Sequence, residues 1–217
     1  EGSFSDGSNY FIYLLDVNVT VFIEGPFLGS EMSAGLNNNG YLPLAQPYNV
    51  MPWDYQGTEA VAQIPHPDIV DWILLELTET PGGPETATSS TVIFRKAVFV
   101  TKSGSLVELD GVSPLVFPVS FDDNIYIVLY HRNHLAIMSN LPVTPNLGSY
   151  SYDFSAGAGQ VYGGTIGYKE IGNGYWGMAG GDGTADGQVN NVDKNDVWSP
   201  EAGASGYLSG DFTMDGQ

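Results

Sequence analysis

From position 17 to 24 the chain alternates. Val17, Val19, Val21 and Ile23 fall on one side of an extended backbone, and Asn18, Thr20, Phe22 and Glu24 on the other. A period of two marks a strand with one face against a core. Short runs rich in Val, Ile, Tyr and Phe, punctuated by Gly, Pro and Asn, recur from position 10 to about 152. They predict strands over 18–24, 71–78, 91–101, 125–131 and 135–139. Ser103-Gly104 between two apolar runs predicts a hairpin. The segments 29–47 and 81–90 are irregular and read as surface loops. Strands at this spacing, with few helical periods, argue for a mainly β fold: an antiparallel β-sandwich, Ig-like or jelly-roll-like.

The ends of the chain break the pattern. Tyr10, Phe11, Ile12, Tyr13, Leu14 and Leu15 form six apolar or aromatic positions in a row. A strand apolar on both faces needs cover on both. Such a segment either completes its own domain or adds as an intersubunit strand to a neighbour. After about position 149 the chain becomes Gly-rich with interspersed Tyr. The expected organisation is an N-terminal extension over 1–16, a sandwich over 17–172, and a small module over 173–217.

That module carries the chemistry. Asp182, Thr184, Asp186, Asn190 and Asp193 occupy positions 1, 3, 5, 9 and 12 of a loop of the EF-hand type. Gly187 stands at position 6, where such a loop turns sharply. Gln188 at position 7 supplies a backbone carbonyl. Six to eight oxygens from one short segment suit Ca2+. A second copy begins at Asp211 and continues through Thr213, Asp215, Gly216 and Gln217, which are positions 1, 3, 5, 6 and 7. Val189, Val192, Val197 and Trp198 are expected to dock the first loop and a short following helix onto the sandwich.

Charge agrees with a cation as ligand. The formal net charge is −19, with six Lys and Arg together. Such a chain disfavours nucleic acid and anionic membrane surfaces and attracts cations. There are no cysteines, so disulfides, thiolate metal sites and Cys nucleophiles are excluded. No apolar stretch is long enough for a membrane-spanning helix. The first residue is Glu1. The expectation is a mature or partial chain of a secreted or cell-surface protein, its export signal removed.

A resemblance rests on several runs: Val19-Thr-Val-Phe-Ile-Glu-Gly-Pro26, Pro43-Leu-Ala-Gln-Pro-Tyr48, Pro52-Trp53, Gly57-Thr-Glu59, Ile64-Pro65, Val70-Asp-Trp-Ile-Leu-Leu-Glu-Leu77, His131-Arg-Asn-His-Leu-Ala-Ile-Met-Ser139 and Tyr152-Asp-Phe154. From about position 17 onward the chain resembles uncharacterised secreted proteins of Bacteroidota. In those, a β-sandwich precedes dockerin-like calcium repeats, often followed by a sorting domain of the type IX secretion system. The loops are similar to type I dockerin repeats, which share the Asp at position 12. The chain departs from that pattern in Thr184 and Thr213 at position 3, in the missing positions 9 and 12 of the second repeat, and in the sorting domain. The resemblance implies architecture and location more than activity.

Other constellations are weaker. His131 and His134 invite a zinc reading, but no third ligand is evident; the alternative is a polar interruption, with Arg132 pairing an acid. Acidic pairs such as Asp122-Asp123 lack the context of a glycosidase and suit a turn. Trp53, Trp72, Trp176 and Trp198 suit either a core or a sugar-stacking surface. The expected function is therefore a non-enzymatic structural or adhesive protein that self-associates head to tail through residues 10–15, with Ca2+ stiffening the junction. The alternative is a module that binds a glycan or a cohesin-like partner.

Overall fold

A computed structural model describes residues 14–146 and 149–217. The fold is mainly β, and the described residues form three sheets. The largest has five antiparallel strands in the order β5-β4-β3-β7-β8: β3 (Ile69–Thr80), β4 (Val92–Thr101), β5 (Leu106–Val107), β7 (Asn124–Tyr130) and β8 (Ile137–Met138). The second has the order β6-β1-β10-β9, from β1 (Leu15–Thr20), β6 (Leu115–Phe117), β9 (Thr144–Asn146) and β10 (Ser149–Asp153). The third joins β11 (Tyr168–Gly172), β12 (Tyr175–Met178) and β2 (Phe22–Ile23).

The alternation at the start of the chain is reproduced in space. Val17, Val19 and Val21 are buried, while Asn18 is exposed and Thr20 half-buried. The run breaks after Thr20, however, and Phe22 and Ile23 pass into a different sheet, where both are buried. The predicted hairpin around Ser103-Gly104 is present, with Phe99 opposite Val107 and Val100 opposite Leu106. Two pairings are parallel, β1 with β10 and β12 with β2. The second ties Gly177 and Met178, in the stretch expected to belong to the C-terminal module, into a sheet with Phe22 and Ile23.

Strand β3 sits at the centre of its sheet, and all but one of its residues are buried. Segments between α1 (Gly35–Asn38) and β3 supply part of its cover. Tyr48, fully buried, donates its hydroxyl to the Trp72 carbonyl at 2.7 Å, and the Trp72 indole donates to the Pro43 carbonyl at 2.9 Å. Beside β4, the Tyr55 hydroxyl donates to the Arg95 carbonyl and Glu59 Oε1 accepts from the Ala97 amide. These bonds satisfy backbone groups that β5 is too short to reach. One apolar core then runs through all three sheets, including Val17, Ile23, Ile73, Leu75, Phe99, Phe117, Tyr168 and Met178. Among the described residues no helix is long and apolar enough to cross a membrane.

Candidate functional site

The two acidic loops fold alike. In the first, Asp182 accepts from the amides of Asp186 and Gly187, both at 3.0 Å. In the second, Asp211 accepts from the amides of Asp215 at 3.3 Å and Gly216 at 2.8 Å. Position 5 then accepts from the amide of position 7 in each: Asp186 from Gln188 at 2.9 Å, Asp215 from Gln217 at 3.0 Å. Backbone angles match as well. Position 6 has φ of 82° at Gly187 and 90° at Gly216, the left-handed region that glycine enters freely. Position 4 is also left-handed, at Ala185 (57°) and Met214 (58°), an uncommon conformation for side chains of this kind.

The first loop closes on its position 12. Asp193 accepts from the Thr184 amide and hydroxyl at 3.1 and 2.8 Å, and from the Asn190 amide at 2.8 Å. The bonds thus fall in two sets, Asp182 with Asp186 and Asp193 with Thr184 and Asn190, while Gln188 and Asn190 are exposed. In the second loop the Thr213 hydroxyl turns to Asp211 at 3.1 Å. Asp182, Asp193 and Asp211 are each buried. Burial, with Asp193 and Asp186 nearby, pushes the Asp182 carboxyl up to about 6 against the pull of its two amide donors. Burial acts the same way on Asp193, but the donors from Asn190 and Thr184 outweigh it and hold that carboxyl low.

An all-oxygen donor set of this kind suits a hard cation such as Ca2+ over a soft one. A buried carboxylate with two others near it is also where a cation would relieve repulsion. Among the described residues, no three acidic or histidine side chains are grouped closely enough to hold a metal as they stand. The carboxylates face their own loop amides.

What holds these loops to the sheets is a feature that the spacing of residues did not reveal. After β7 the chain runs through His131, Arg132, Asn133 and His134, and all four are buried. Arg132 donates through Nε to Asp71 Oδ2 at 3.2 Å and through Nη1 to the Leu208 carbonyl. Its guanidinium lies 4.2 Å from the centre of the Tyr207 ring. The Tyr207 hydroxyl donates to the other oxygen of Asp71 at 2.7 Å. The Asn133 amide group donates to the carbonyls of Ser209 at 3.2 Å and Asp211 at 2.8 Å, while its own carbonyl accepts from the Gly181 amide at 3.1 Å. Asn133 therefore bonds directly to the start of both acidic loops.

The imidazoles complete this hub. His134 Nε2 accepts from the Gly25 amide at 3.2 Å, which places its proton on Nδ1. That Nδ1 lies 2.9 Å from Asn133 Oδ1 and 3.1 Å from His131 Nδ1. His131 Nε2 lies 3.2 Å from Asp71 Oδ2 and is the donor in that contact. Burial lowers the pKa of His131, and burial with His131 and Arg132 nearby lowers that of His134 further. Both rings are neutral at pH 7, so the buried ion pair is Asp71 with Arg132. Arg132 and the His131 bond hold the Asp71 carboxyl low against its burial. The zinc reading of His131 and His134 thus gives way to a structural one: the rings are engaged with Asp71, Gly25 and each other. The pairing of Arg132 with an acid is present, and the acid is Asp71.

Other predicted positions fall elsewhere. Val189, Val192 and Trp198 are exposed, with Val197 half-buried. They do not dock the loop on the sheets; the polar hub does, because it already satisfies the backbone there. The expected short helix is a π-helical turn over Asp193–Trp198 leading into α2 (Ser199–Glu201). Of the intersubunit segment, Leu15 lies in β1, 5 % exposed and opposite Phe117, while Leu14 is 66 % exposed. Tyr10, Phe11, Ile12 and Tyr13 lie outside the described residues. Compared with protein-family models, curated proteins and solved structures, the chain gives no match in any of the three.

Proposed function

We propose that this chain is a non-enzymatic structural or adhesive module of the cell exterior, a β-sandwich whose C-terminal dockerin-like loops bind Ca2+ and which joins copies of itself head to tail. The observation that carries this reading is the repetition of one loop geometry at Asp182 and Asp211, down to the left-handed residues at positions 4 and 6. Strained backbone kept twice over points to a shared task. The hub at 131–134 supports a mechanical role, since it makes the loops part of the β fold instead of a tethered appendage. For the self-association, the support is the apolar run at 10–15 together with Leu14, which leaves its side chain in solvent where β1 begins.

Calorimetric titration with Ca2+ and electron microscopy in Ca2+ and in EGTA test the two halves separately. The expected results are saturable heat that Asp182→Ala reduces, and filaments that fray on chelation. Absence of calcium heat in the intact chain ends the calcium reading. Deleting residues 1–13 leaves β1 whole and should yield folded monomers; filaments that survive this deletion place the contact elsewhere.

A further inference from the structure

Between the first acidic loop and the five-stranded sheet lies a half-open cleft of ≈ 340 Å³, lined in part by Trp53, Tyr130, Arg95, Asp182 and Asp186. We propose that this cleft is a binding site for one neutral sugar residue of a glycan. Its size lies at the lower end of the range for small-ligand pockets.

The lining selects the ligand class. Trp53 and Tyr130, both half-buried, offer aromatic faces of the sort that take the C–H face of a pyranose while leaving a polar edge free. Trp53 is braced edge-to-face on the fully buried Tyr48, with ring centres 5.1 Å apart, so its position is set before any ligand arrives. Polar groups of both senses surround these rings. Arg95 brings N–H donors, and the exposed carboxylate of Asp186 is an acceptor. Neighbouring hydroxyls of a sugar, each donor and acceptor at once, match such a mixed set.

Charge narrows the choice further. Among the described residues Arg95 is the one cationic side chain lining the cleft, and it is held by Glu76 at 2.6 Å. Against it stand Asp182 and Asp186 in a chain of net charge −19. An anionic ligand, whether a phosphate or a uronic acid, meets no free positive charge there. A cationic ligand would suit the acids alone, but Arg95 opposes it, and so would a Ca2+ bound between the same acids.

One wall of the cleft is the loop itself, at positions 1 and 5. Sugar binding should therefore depend on calcium, and that part of the proposal rests on the calcium reading above. The test is saturation-transfer NMR, with tryptophan fluorescence as a second readout, on the intact chain. The probes are glucose, galactose, mannose and N-acetylglucosamine, with glucuronate and choline as charged controls. At least one neutral sugar should bind saturably in Ca2+ and at least tenfold more weakly in EGTA. Trp53→Ala removes the platform, and Ala136→Phe fills the cleft from an exposed position, so the second variant keeps the fold if the first does not. Each should abolish sugar binding while the calcium heat persists. Neutral sugars that fail to bind, bind equally to Ala136→Phe, or bind more weakly than choline or glucuronate overturn the proposal. Sugar binding indifferent to EGTA removes its calcium dependence and leaves the cleft as the site; loss of calcium heat alone counts against the loop reading instead.

Discussion

The five-stranded sheet and the C-terminal loops are held in place by different balances of forces, although Met214 of the second loop also reaches the apolar core. The sheet is joined to its neighbours by apolar packing around Ile73, Leu75 and Phe99, each fully buried. The loops are joined to it by hydrogen bonds around one buried ion pair, with Asp71 at its centre and Arg132, His131 and Tyr207 about it. Apolar packing is non-directional and tolerates exchange of similar side chains. A buried polar hub is directional: fully satisfied it fixes one geometry, and partly satisfied it is costly. An acidic, Gly-rich segment with little apolar surface to bury gains a fixed position in this second way.

The largest effect is expected from breaking the pair at its centre. Asp71→Ala leaves the Arg132 guanidinium buried without its carboxylate, a loss of about 3–5 kcal/mol. Leu75→Ala in the sheet should cost a similar amount, about 2–5 kcal/mol. Total stability will not separate the two, but hydrogen exchange will. Asp71→Ala should deprotect the amides of 180–217 first, whereas Leu75→Ala should lower the sheet and the loops together. Replacing both partners, Asp71→Leu with Arg132→Leu, should restore much of the global loss, because no charge is then left unpaired. Loop amides that stay protected in Asp71→Ala would show that the anchor lies elsewhere.

That division also explains which features are legible in the chain. The strands are, because alternation at 17–21 and the turn at Ser103-Gly104 are local signals. So are the loops: positions 1, 5 and 6 lie close together, and the carboxylate at position 1 accepts from the amides of positions 5 and 6 in its own segment. The hub joins Asp71 to His131 across 60 positions and to Tyr207 across 136. In the sequence Asp71 is one of three acids in β3, with nothing to set it apart from Glu76 and Glu79, and His131-Arg-Asn-His134 resembles a metal-ligand cluster as much as a bracket. The parallel pairing of β12 with β2 is hidden for the same reason, since nothing near Gly177 points to Phe22.

A steric change sharpens the contrast next. An added methyl at Gly25 would sit 1.9 Å from the Phe212 carbonyl oxygen in the second loop, an overlap with backbone on the far side. Gly25→Ala must therefore push the loop off the turn that also supplies the amide to His134. The expected cost is about 1–3 kcal/mol by thermal unfolding, as for other overpacked sites. Gly159→Ala, with open space around the new methyl, serves as the control. Equal stability of the two variants would mean that the loop is not seated against Gly25.

Acid acts on this region in two opposite senses: the two histidines cost stability as pH falls, while Asp182, raised to about 6, takes up a proton more readily in the fold and offsets part of that loss. His131 and His134 are neutral in the fold, with pKa values below the ordinary 6.5. The unfolded chain therefore binds more protons below that pH, and stability falls as pH drops through it. The slope is about 1.4 kcal/mol per pH unit for each histidine. The charged groups that act on the pair are Asp71 and Arg132. Asp71 favours protonation of His131, but burial and Arg132 oppose it and prevail. Chemical denaturation of the chain and of His134→Gln between pH 7.5 and 5 should give a steeper fall for the parent. Parallel curves would show that the imidazoles carry no part of the loss.

The smallest effect separates the two loops themselves. Thr184 and Thr213 occupy the same position, yet their hydroxyls go to different carboxylates. Thr184 donates to Asp193, the position-12 residue, whereas Thr213 donates to Asp211 at position 1. The bond from Thr184 pins the far end of its loop to the start, and the bond from Thr213 pins nothing that position 1 does not already hold through two amides. Valine keeps the branched shape and removes the hydroxyl. Thr184→Val should cost about 1 kcal/mol, the net worth of one hydrogen bond, and should raise amide exchange at Asn190, which shares the Asp193 carboxylate. Thr213→Val should cost less than half as much. Equal losses would mean that closure at position 12 adds nothing, and that the two loops are held by the Asp at position 1 alone.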